Sequence, residues 1–395
     1  MWGEGVRNCL DVCGGSGHNA TKEPCVVRKP EIIRKIALFL PSLCGGGAEK
    51  VMVHLAQGFS ERGFDVDLIL AKADGPYFSL VPKSVRIVDL KARRVLYSLP
   101  GLVRYLRESK PEALISALDH ANVIALGAKL LSRSPVRLAL SVHSTLSQSS
   151  ARAMNLRGRL TPCWTRLFYP WADAVIAVSK GVADDLLRVS KLRKEKVHVI
   201  YNPVVAPELF VQAEEVLDHP WFAADEPPVI LGVGRLTEPK DFITLIRAFA
   251  IVKEVCPARL IILGEGEERA RLEAFVRNLD LEASVELPGF VSNPYKYIKR
   301  AAVFVLSSKW EGLPTVLIEA LALGTPVIST DCPSGPAEIL EGGRWGRLVP
   351  VGDVNALAQA ILCALSGEVP SSPREASHPY ELQRVVSAYV DILGL

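Results

Sequence analysis

Two glutamates stand on either side of a helix start in the stretch Trp310-Glu311-Gly312-Leu313-Pro314-Thr315-Val316-Leu317-Ile318-Glu319-Ala320. The apolar run Ala301–Leu306 before them reads as a buried strand. A Gly/Pro turn follows, then a helix from about Thr315 and a second apolar strand around Val327. Ligands of open α/β sheets sit at the carboxyl ends of strands. Glu311 in the loop and Glu319 in the helix can therefore both reach a polyhydroxyl ligand held at the helix N-terminus. The backbone N–H groups of Gly312, Leu313 and Thr315 (Pro314 has none) are aimed at anything anionic. The plain alternative for this spacing is a surface helix with two solvated glutamates.

A second constellation can meet phosphate. Gly232-Val233-Gly234-Arg235-Leu236-Thr237-Glu238-Pro239-Lys240-Asp241 sits between a strand and a helix. A nucleoside diphosphate brings at least two negative charges, and Arg235 offers a planar fork and Lys240 a mobile point charge to meet them. The glycines permit close approach, whereas a solvated loop with two surface cations is the bland reading. In the first half of the chain, His143 directly follows the apolar run Arg137–Val142, a position that faces a cleft at a strand's carboxyl end. Gly45, Gly46 and Gly47 join a strand to a helix, an arrangement that brings a phosphate or sugar to backbone, or is simply a tight turn. It is no P-loop, for the Gly-Lys-Ser/Thr ending is missing.

Positioning such groups takes regular elements, and the apolar runs supply them. Strands are expected at Lys35–Leu40, Val66–Leu70, Val85–Val88, Ala113–Ser116, Arg137–Val142, Ala174–Val178 and Val197–Ile200, with helices such as Ser98–Ser109, Asn122–Leu131 and Val182–Val189 between them. A second series opens at Val229 and continues with helix Phe242–Val252, strand Arg259–Leu263, helix Glu267–Asn278, and strands Ser284–Leu287 and Val303–Leu306. Alternation of this kind implies parallel, doubly wound sheets. A chain of 395 residues exceeds one core. The fold class expected is therefore α/β with two facing Rossmann-like domains. The boundaries are a loose extension over 1–34, a first domain over 35–204, a linker over 205–228, a second domain over 229–375, and a C-terminal helix over 376–395.

Glu311, Glu319, Ala320, Gly324, Pro326 and Val327, with Trp-Glu-Gly-Leu-Pro before and Gly-Thr-Pro-Val after, resemble the Glu-x7-Glu motif of retaining glycosyltransferases of the GT-B type, family 4 (group 1). The resemblance covers about residues 35 to 370. It implies a donor site for a nucleotide diphosphate sugar, most often UDP, as co-substrate with no further cofactor and no metal. By that analogy Arg235 and Lys240 bind the pyrophosphate, Glu311 holds sugar hydroxyls, and Gly312, Leu313, Pro314 and Thr315 belong to the donor site. Glu319 takes the ribose, Gly234 and Gly264 flank the nucleotide, and Phe290 and Val291 lie near the base. His143 contacts the transferred sugar, and Glu338 lies in a turn near the donor. The final helix packs back on the first domain. The mechanism implied is front-face substitution, with the leaving phosphate as base, onto a glycan or lipid-linked acceptor in cell-surface glycan or glycolipid synthesis. The alternatives are a sugar phosphorylase or epimerase on the same fold, and a transferase-like binding subunit without turnover. Retention of Arg235, Lys240, Glu311 and Glu319 together speaks against the last.

Other signals narrow the partners. A net charge of +3 is too mild for nucleic acid. No apolar run approaches the roughly 20 residues that span a bilayer, and the first 30 residues carry no signal-peptide core; a cytoplasmic enzyme is expected. Arg152, Arg157, Arg159 and Arg166 interleave with Trp164, Leu167, Phe168 and Trp171, and Arg93, Arg94, Arg104 and Arg107 lie upstream with Leu96 and Tyr97. This pattern suits an anionic membrane surface or a core helix with solvated arginines. Asp65-Val66-Asp67 imitates an Asp-x-Asp metal motif but precedes an apolar strand instead of ending one, and reads as a wet strand start. Of eight cysteines, Cys9, Cys13 and Cys25 crowd the N-terminal stretch with His18 at spacings that match no Cys-x2-Cys site. Cys44, Cys163, Cys256, Cys332 and Cys363 read as reduced core thiols.

Overall fold

In the computed structural model, residues 34–44, 46–151, 161–369 and 373–395 are described. Among them the apolar runs become thirteen strands in two sheets. The first sheet holds β1 (Lys35–Leu40), β2 (Asp65–Leu70), β3 (Arg86–Asp89), β4 (Ala113–Ala117), β5 (Arg137–Val142), β6 (Ala174–Ala177) and β7 (Val197–Val199). Its order is β3-β2-β1-β4-β5-β6-β7, every neighbour parallel. The second holds β8 (Val229–Val233), β9 (Arg259–Leu263), β10 (Val285–Gly289), β11 (Val303–Leu306), β12 (Val327–Thr330) and β13 (Arg347–Val349). Its order is β10-β9-β8-β11-β12-β13, again parallel. Helices cover both faces, which is why strands such as β4 are buried along their whole length instead of alternating.

Strand order reverses direction between β1 and β4 in the first sheet and between β8 and β11 in the second. Such switch points open a crevice beyond the strand ends, because the two connecting helices leave on opposite faces. The expected site residues follow these strands: Gly46 and Gly47 after β1, Arg235 and Lys240 after β8, Glu311 and Glu319 after β11. His143 follows β5, one strand beyond β4.

Arg34–Leu395 forms one unit. The C-terminal helix Leu382–Leu393 lies on the first sheet's helix Gly47–Glu61, with Leu382 and Val386 methyls against Gly58 and Tyr389 edge-on to Phe59 at 6.4 Å. Its last turn is tied down by the Arg137 guanidinium, which donates to the Leu393 carbonyl. No helix among the described residues is long and apolar enough to cross a membrane.

Several local expectations change. The stretch read as a linker carries the helix Pro207–Ala213, whose end is held by Arg300 donating to the Ala213 carbonyl at 3.1 Å. Proline at its first turn starts this helix instead of breaking the chain. Asp67 is no wet strand start. It is fully buried, bound by Arg86 Nε at 2.7 Å and by the Tyr105 hydroxyl, with Lys35 Nζ at 3.7 Å. Arg86 stands directly opposite it on β3, so the cross-strand partner compensates the charge. Of the cysteines described, only Cys332 is buried; Cys44 and Cys163 are exposed because they lie in a loop and on the outer side of a helix. Cys9, Cys13, Cys25 and His18 lie outside the described residues, as do Arg152, Arg157 and Arg159.

Candidate functional site

The turns after β8, β9 and β10 are knitted backbone to backbone. Gly264, at φ +144°, donates to the Gly289 carbonyl at 2.8 Å, and a Cβ there would lie 1.9 Å from the Gly234 oxygen. Only glycine fits both that angle and that approach. Phe290, just beyond β10, is exposed, and Val291 packs partly on the core. Next to this floor a 3-10 turn, Glu238–Lys240, delivers Lys240. Its Nζ lies 2.6 Å from Glu311 Oε1, which also accepts from Ser308 Oγ at 2.6 Å. Ser307 Oγ fixes the turn by donating to the Lys240 carbonyl at 2.8 Å. The loops after β8 and β11 thus bring an ammonium and a carboxylate into one ion pair, both mostly buried. Arg235 is exposed and makes no ion pair among the described residues, so its guanidinium is free to turn toward an anion.

Glu311 leads into Gly312, Leu313 and Pro314, and the eight-residue helix starts at Thr315 as the Gly/Pro turn predicts. Gly312 meets the first half of the molecule: a Cβ there would lie 2.1 Å from the His143 carbonyl oxygen. Its own carbonyl accepts from Ser179 Oγ at 2.9 Å and Ser334 Oγ at 3.0 Å. The glycine is needed because backbone of β5's end and backbone of the Glu311 loop touch. His143 itself pairs Nε2 with Ser141 Oγ at 2.9 Å. Burial pushes its pKa down to about 4, so the ring is neutral near pH 7.

Glu319 is one helical turn beyond Thr315 and almost completely buried. A buried carboxylate needs a cation, and Lys50 supplies it from helix Gly47–Glu61, Nζ to Oε1 at 2.8 Å. Tyr295 adds its hydroxyl, 2.5 Å from Lys50 Nζ and 3.5 Å from Glu319 Oε1. Sequence reading missed Lys50 and Tyr295; the only signal was a lysine in the first turn of the helix after the glycines. In that turn, Gly46 is the N-cap, and the Glu49 carboxylate lies against it, where a Cβ would be 2.2 Å from Oε2. The chain's own anion thus stands beside the helix start that the glycines leave open. Gly45 lies outside the described residues, and Gly47 has open space on its Cβ side.

A further carboxylate escaped the sequence reading. Helix Asp119–Ser132 begins three residues earlier than expected and places Asp119 beyond β4, at the first switch point. Leu118 before it takes φ +77°, a sparsely populated angle for a branched side chain. Asp119 accepts from the Tyr169 hydroxyl at 3.5 Å, and burial raises its pKa to about 6. Asn122, fully buried beside it, donates to the Ser141 carbonyl and to the Tyr169 hydroxyl, while its Oδ1 is unpartnered.

Glu338 follows the turn whose Pro333 carbonyl accepts from the Glu311 N–H and whose Ser334 donates to Gly312. It accepts from the Lys180 N–H at 2.9 Å and the Tyr201 hydroxyl at 2.7 Å, capping the helix Lys180–Ser190 of the other half. Asp65 and Asp67 share Lys35, whose Nζ lies 2.9 Å from one and 3.7 Å from the other. Among the described residues no three His, Cys, Asp or Glu side chains gather around one point.

Comparisons with known proteins follow the same division of the chain. Residues 45–206 match the model of Glycosyltransferase Family 4, and residues 214–378 that of Glycosyl transferases group 1. Over 344 residues, 85% of this chain and 91% of its relative, the sequence is 30% identical to the N-acetylgalactosamine-N,N'-diacetylbacillosaminyl-diphospho-undecaprenol 4-alpha-N-acetylgalactosaminyltransferase of Campylobacter jejuni. It is 30% identical over 324 residues to the lipopolysaccharide core biosynthesis glycosyltransferase LpsE of Rhizobium meliloti, covering 80% of this chain and 84% of that one. Among solved structures, Anabaena HepE in complex with UDP and glucose aligns with a TM-score of 0.69 at 22% identity over 91% of this chain and 96% of that one. At that identity the likeness speaks for the fold alone. Two parallel sheets with their switch points lined by these residues, and relatives that match over most of their length, lead to one family: the chain belongs to the group 1, family 4 glycosyltransferases of the GT-B fold.

Proposed function

We propose that the enzyme moves a hexose or N-acetylhexosamine from a nucleoside diphosphate sugar, with UDP as the nucleotide, onto a glycan or lipid-linked acceptor, with retention and without a metal. The observation that carries this reading is the convergence of Arg235, Lys240, Glu311 and Glu319 on the second switch point. Arg235 and Lys240 meet the diphosphate and stabilise the charge that develops as the C1–O bond breaks and its electron pair moves to phosphate. Glu311, oriented by Ser308, accepts from sugar hydroxyls, and Glu319 accepts from the ribose. The acceptor oxygen bonds to C1 on the face the phosphate leaves, and its proton passes to the departing phosphate oxygen. His143, neutral, offers its ring to the sugar as a hydrogen-bond partner without adding charge to the transition state.

The acceptor class is supported by the relatives' names, one of which carries an undecaprenol diphosphate-linked sugar and another lipopolysaccharide core; UDP is supported by the HepE complex. A meeting place with such an acceptor is offered by the first half's surface. Leu130 and Leu131 of helix Asp119–Ser132 are exposed, as are Leu96, Tyr97, Trp164, Leu167 and Trp171 on elements that pack against that helix. Tyr169 is the core member of that stretch, whereas the tryptophans point outward. Exposed aromatics with arginines among them suit the interface of an anionic leaflet, and we place the enzyme in the cytoplasm at that surface. The test is a screen of nucleotide sugars for nucleotide release, with and without polyprenyl phosphate-linked sugars, followed by NMR of the product's anomeric proton. Release of nucleotide with an α-linked product from an α-linked donor supports the reading. Consumption of inorganic phosphate in place of a nucleotide sugar would overturn it.

A further inference from the structure

Lys50 and Glu319 are 269 residues apart in the chain and belong to the helices that follow β1 and β11. Lys50 Nζ gives one hydrogen bond to Glu319 Oε1 and another to the Tyr295 hydroxyl, and it also stands 4.7 Å over the Tyr295 ring. Tyr295 OH approaches the same Oε1. Among the described residues, the hydrogen bonds to this carboxylate therefore fall on one oxygen. Oε2 takes no hydrogen bond from the described residues, yet it is not among the buried polar atoms sealed without a partner. A merely structural ion pair in a buried setting is expected to satisfy both oxygens, because each unpaired one costs desolvation.

A carboxylate clamped by one oxygen and open at the other is a hydrogen-bond acceptor of fixed direction. Its natural ligand is a neutral hydroxyl: an anion would be repelled, and the cation is already supplied by Lys50. Burial by itself lowers the pKa of the Lys50 ammonium, but the Glu319 carboxylate and Tyr295 raise it by more, so the clamp stays charged throughout the physiological range.

We propose that Lys50 is the positioning residue for ribose recognition, holding Oε1 of Glu319 so that Oε2 meets a ribose hydroxyl of the donor. This rests on the reading of Glu319 as the ribose ligand. Because Lys50 comes from the first half of the molecule and Glu319 from the second, the clamp also makes ribose recognition depend on the two halves being in register.

The experiment compares affinities for UDP, GDP, ADP and CDP by calorimetry. It then uses the 2′-deoxy and 3′-deoxy analogues of whichever nucleoside diphosphate binds tightest. A hydrogen bond to a charged acceptor is worth about tenfold to a hundredfold in affinity, so the wild type should prefer the ribonucleotide over one deoxy analogue by that factor. In Lys50→Met the preference should fall to within about twofold, with the deoxy analogue's own affinity nearly unchanged, and Lys50→Arg should recover part of it. Lys50→Gln, neutral but still able to donate to Oε1, replaces the methionine variant if that one does not fold, and should keep an intermediate preference. An unchanged preference in Lys50→Met or Lys50→Gln overturns the proposal, as does an equal loss for ribo and deoxy forms, which would make Lys50 a phosphate or packing residue. Tight nucleotide binding by a wild type that ignores the ribose hydroxyls would sink the ribose assignment alone. No binding of any nucleoside diphosphate would instead sink the donor reading itself.

Discussion

Lys240 Nζ lies 2.6 Å from Glu311 Oε1, so the cation assigned to the phosphate and the carboxylate assigned to the sugar are each other's partners. The loops that carry them are 71 residues apart and meet only because β8 and β11 are neighbours in the sheet. The pair holds both side chains at the strand ends, and neither charge can be removed without releasing the other.

That coupling sharpens the first prediction. Lys240→Ala removes a charge-assisted donor from the developing diphosphate and frees Glu311 from its anchor. Turnover should fall on the order of 10²–10³-fold at saturating donor. Arg235→Ala, at an exposed position without an ion-pair partner among the described residues, should cost rate with little change in melting temperature. Near-full turnover in Lys240→Ala, measured as nucleotide release, would refute the phosphate assignment.

Glu319→Ala tests the buried pair. Alanine suits a helix interior, yet the substitution strands the Lys50 ammonium in a mostly buried site. Loss of stability on the order of 3 kcal/mol is expected. Adding Lys50→Met to the same chain should recover most of it. Chemical denaturation of the two variants decides: equal stabilities would show that the stranded Lys50 ammonium carries no penalty.

The pH dependence of stability should contain two opposed contributions. His143 has its pKa lowered by burial to about 4, so the folded protein binds this proton less readily than the unfolded chain. Its contribution is present above the ordinary histidine range and is lost as the pH falls toward 4, on the order of 3 kcal/mol in all. Asp119 has its pKa raised by burial to about 6, so its ionisation destabilises the fold above pH 6, and that cost is relieved as the pH falls from 6 to 4. Asp119→Asn should therefore raise the melting temperature at pH 7 to 8 and have no effect at pH 4. His143→Gln should flatten the loss on the acid side. Melting curves of both variants from pH 4 to 8 provide the check, and parallel curves for wild type and Asp119→Asn would contradict it.

Fixed cations are proposed to do the work of a divalent ion, so EDTA should leave nucleotide release largely intact. Activity abolished by EDTA and restored by Mn²⁺ would require a carboxylate site that Asp67, already bound to Arg86 and Tyr105, does not offer.

Membrane contact is measured by cosedimentation with liposomes. Binding should require anionic lipid and weaken at high salt, each cation near the surface contributing about 1 kcal/mol. Trp171→Ala and Trp164→Ala, both at exposed positions, should weaken binding without shifting the melting temperature. Equal and negligible sedimentation with anionic and neutral vesicles would point to a soluble acceptor.

Apolar runs announced every strand but the short β13, and a Gly/Pro turn announced the helix at Thr315 within one residue. Those are local properties: burial demands continuous hydrophobicity, and a turn demands its own residue types. The positions of Arg235, Lys240 and Glu311 at strand-to-helix junctions, and of Glu319 in the helix from Thr315, were legible for the same reason, since the local pattern fixes them. What the sequence could not announce was pairing across the sheets. Lys50 reads as an ordinary first-turn lysine until the fold sets it 2.8 Å from Glu319. Asp67 reads as solvated until β3 brings Arg86 opposite it. Asp119 reads as a loop residue until strand order makes β4 the neighbour of β1 and turns its end into a crevice. In each case the deciding quantity is the dielectric and the partner around a charge. Both are properties of residues distant in the chain, and no local pattern encodes them.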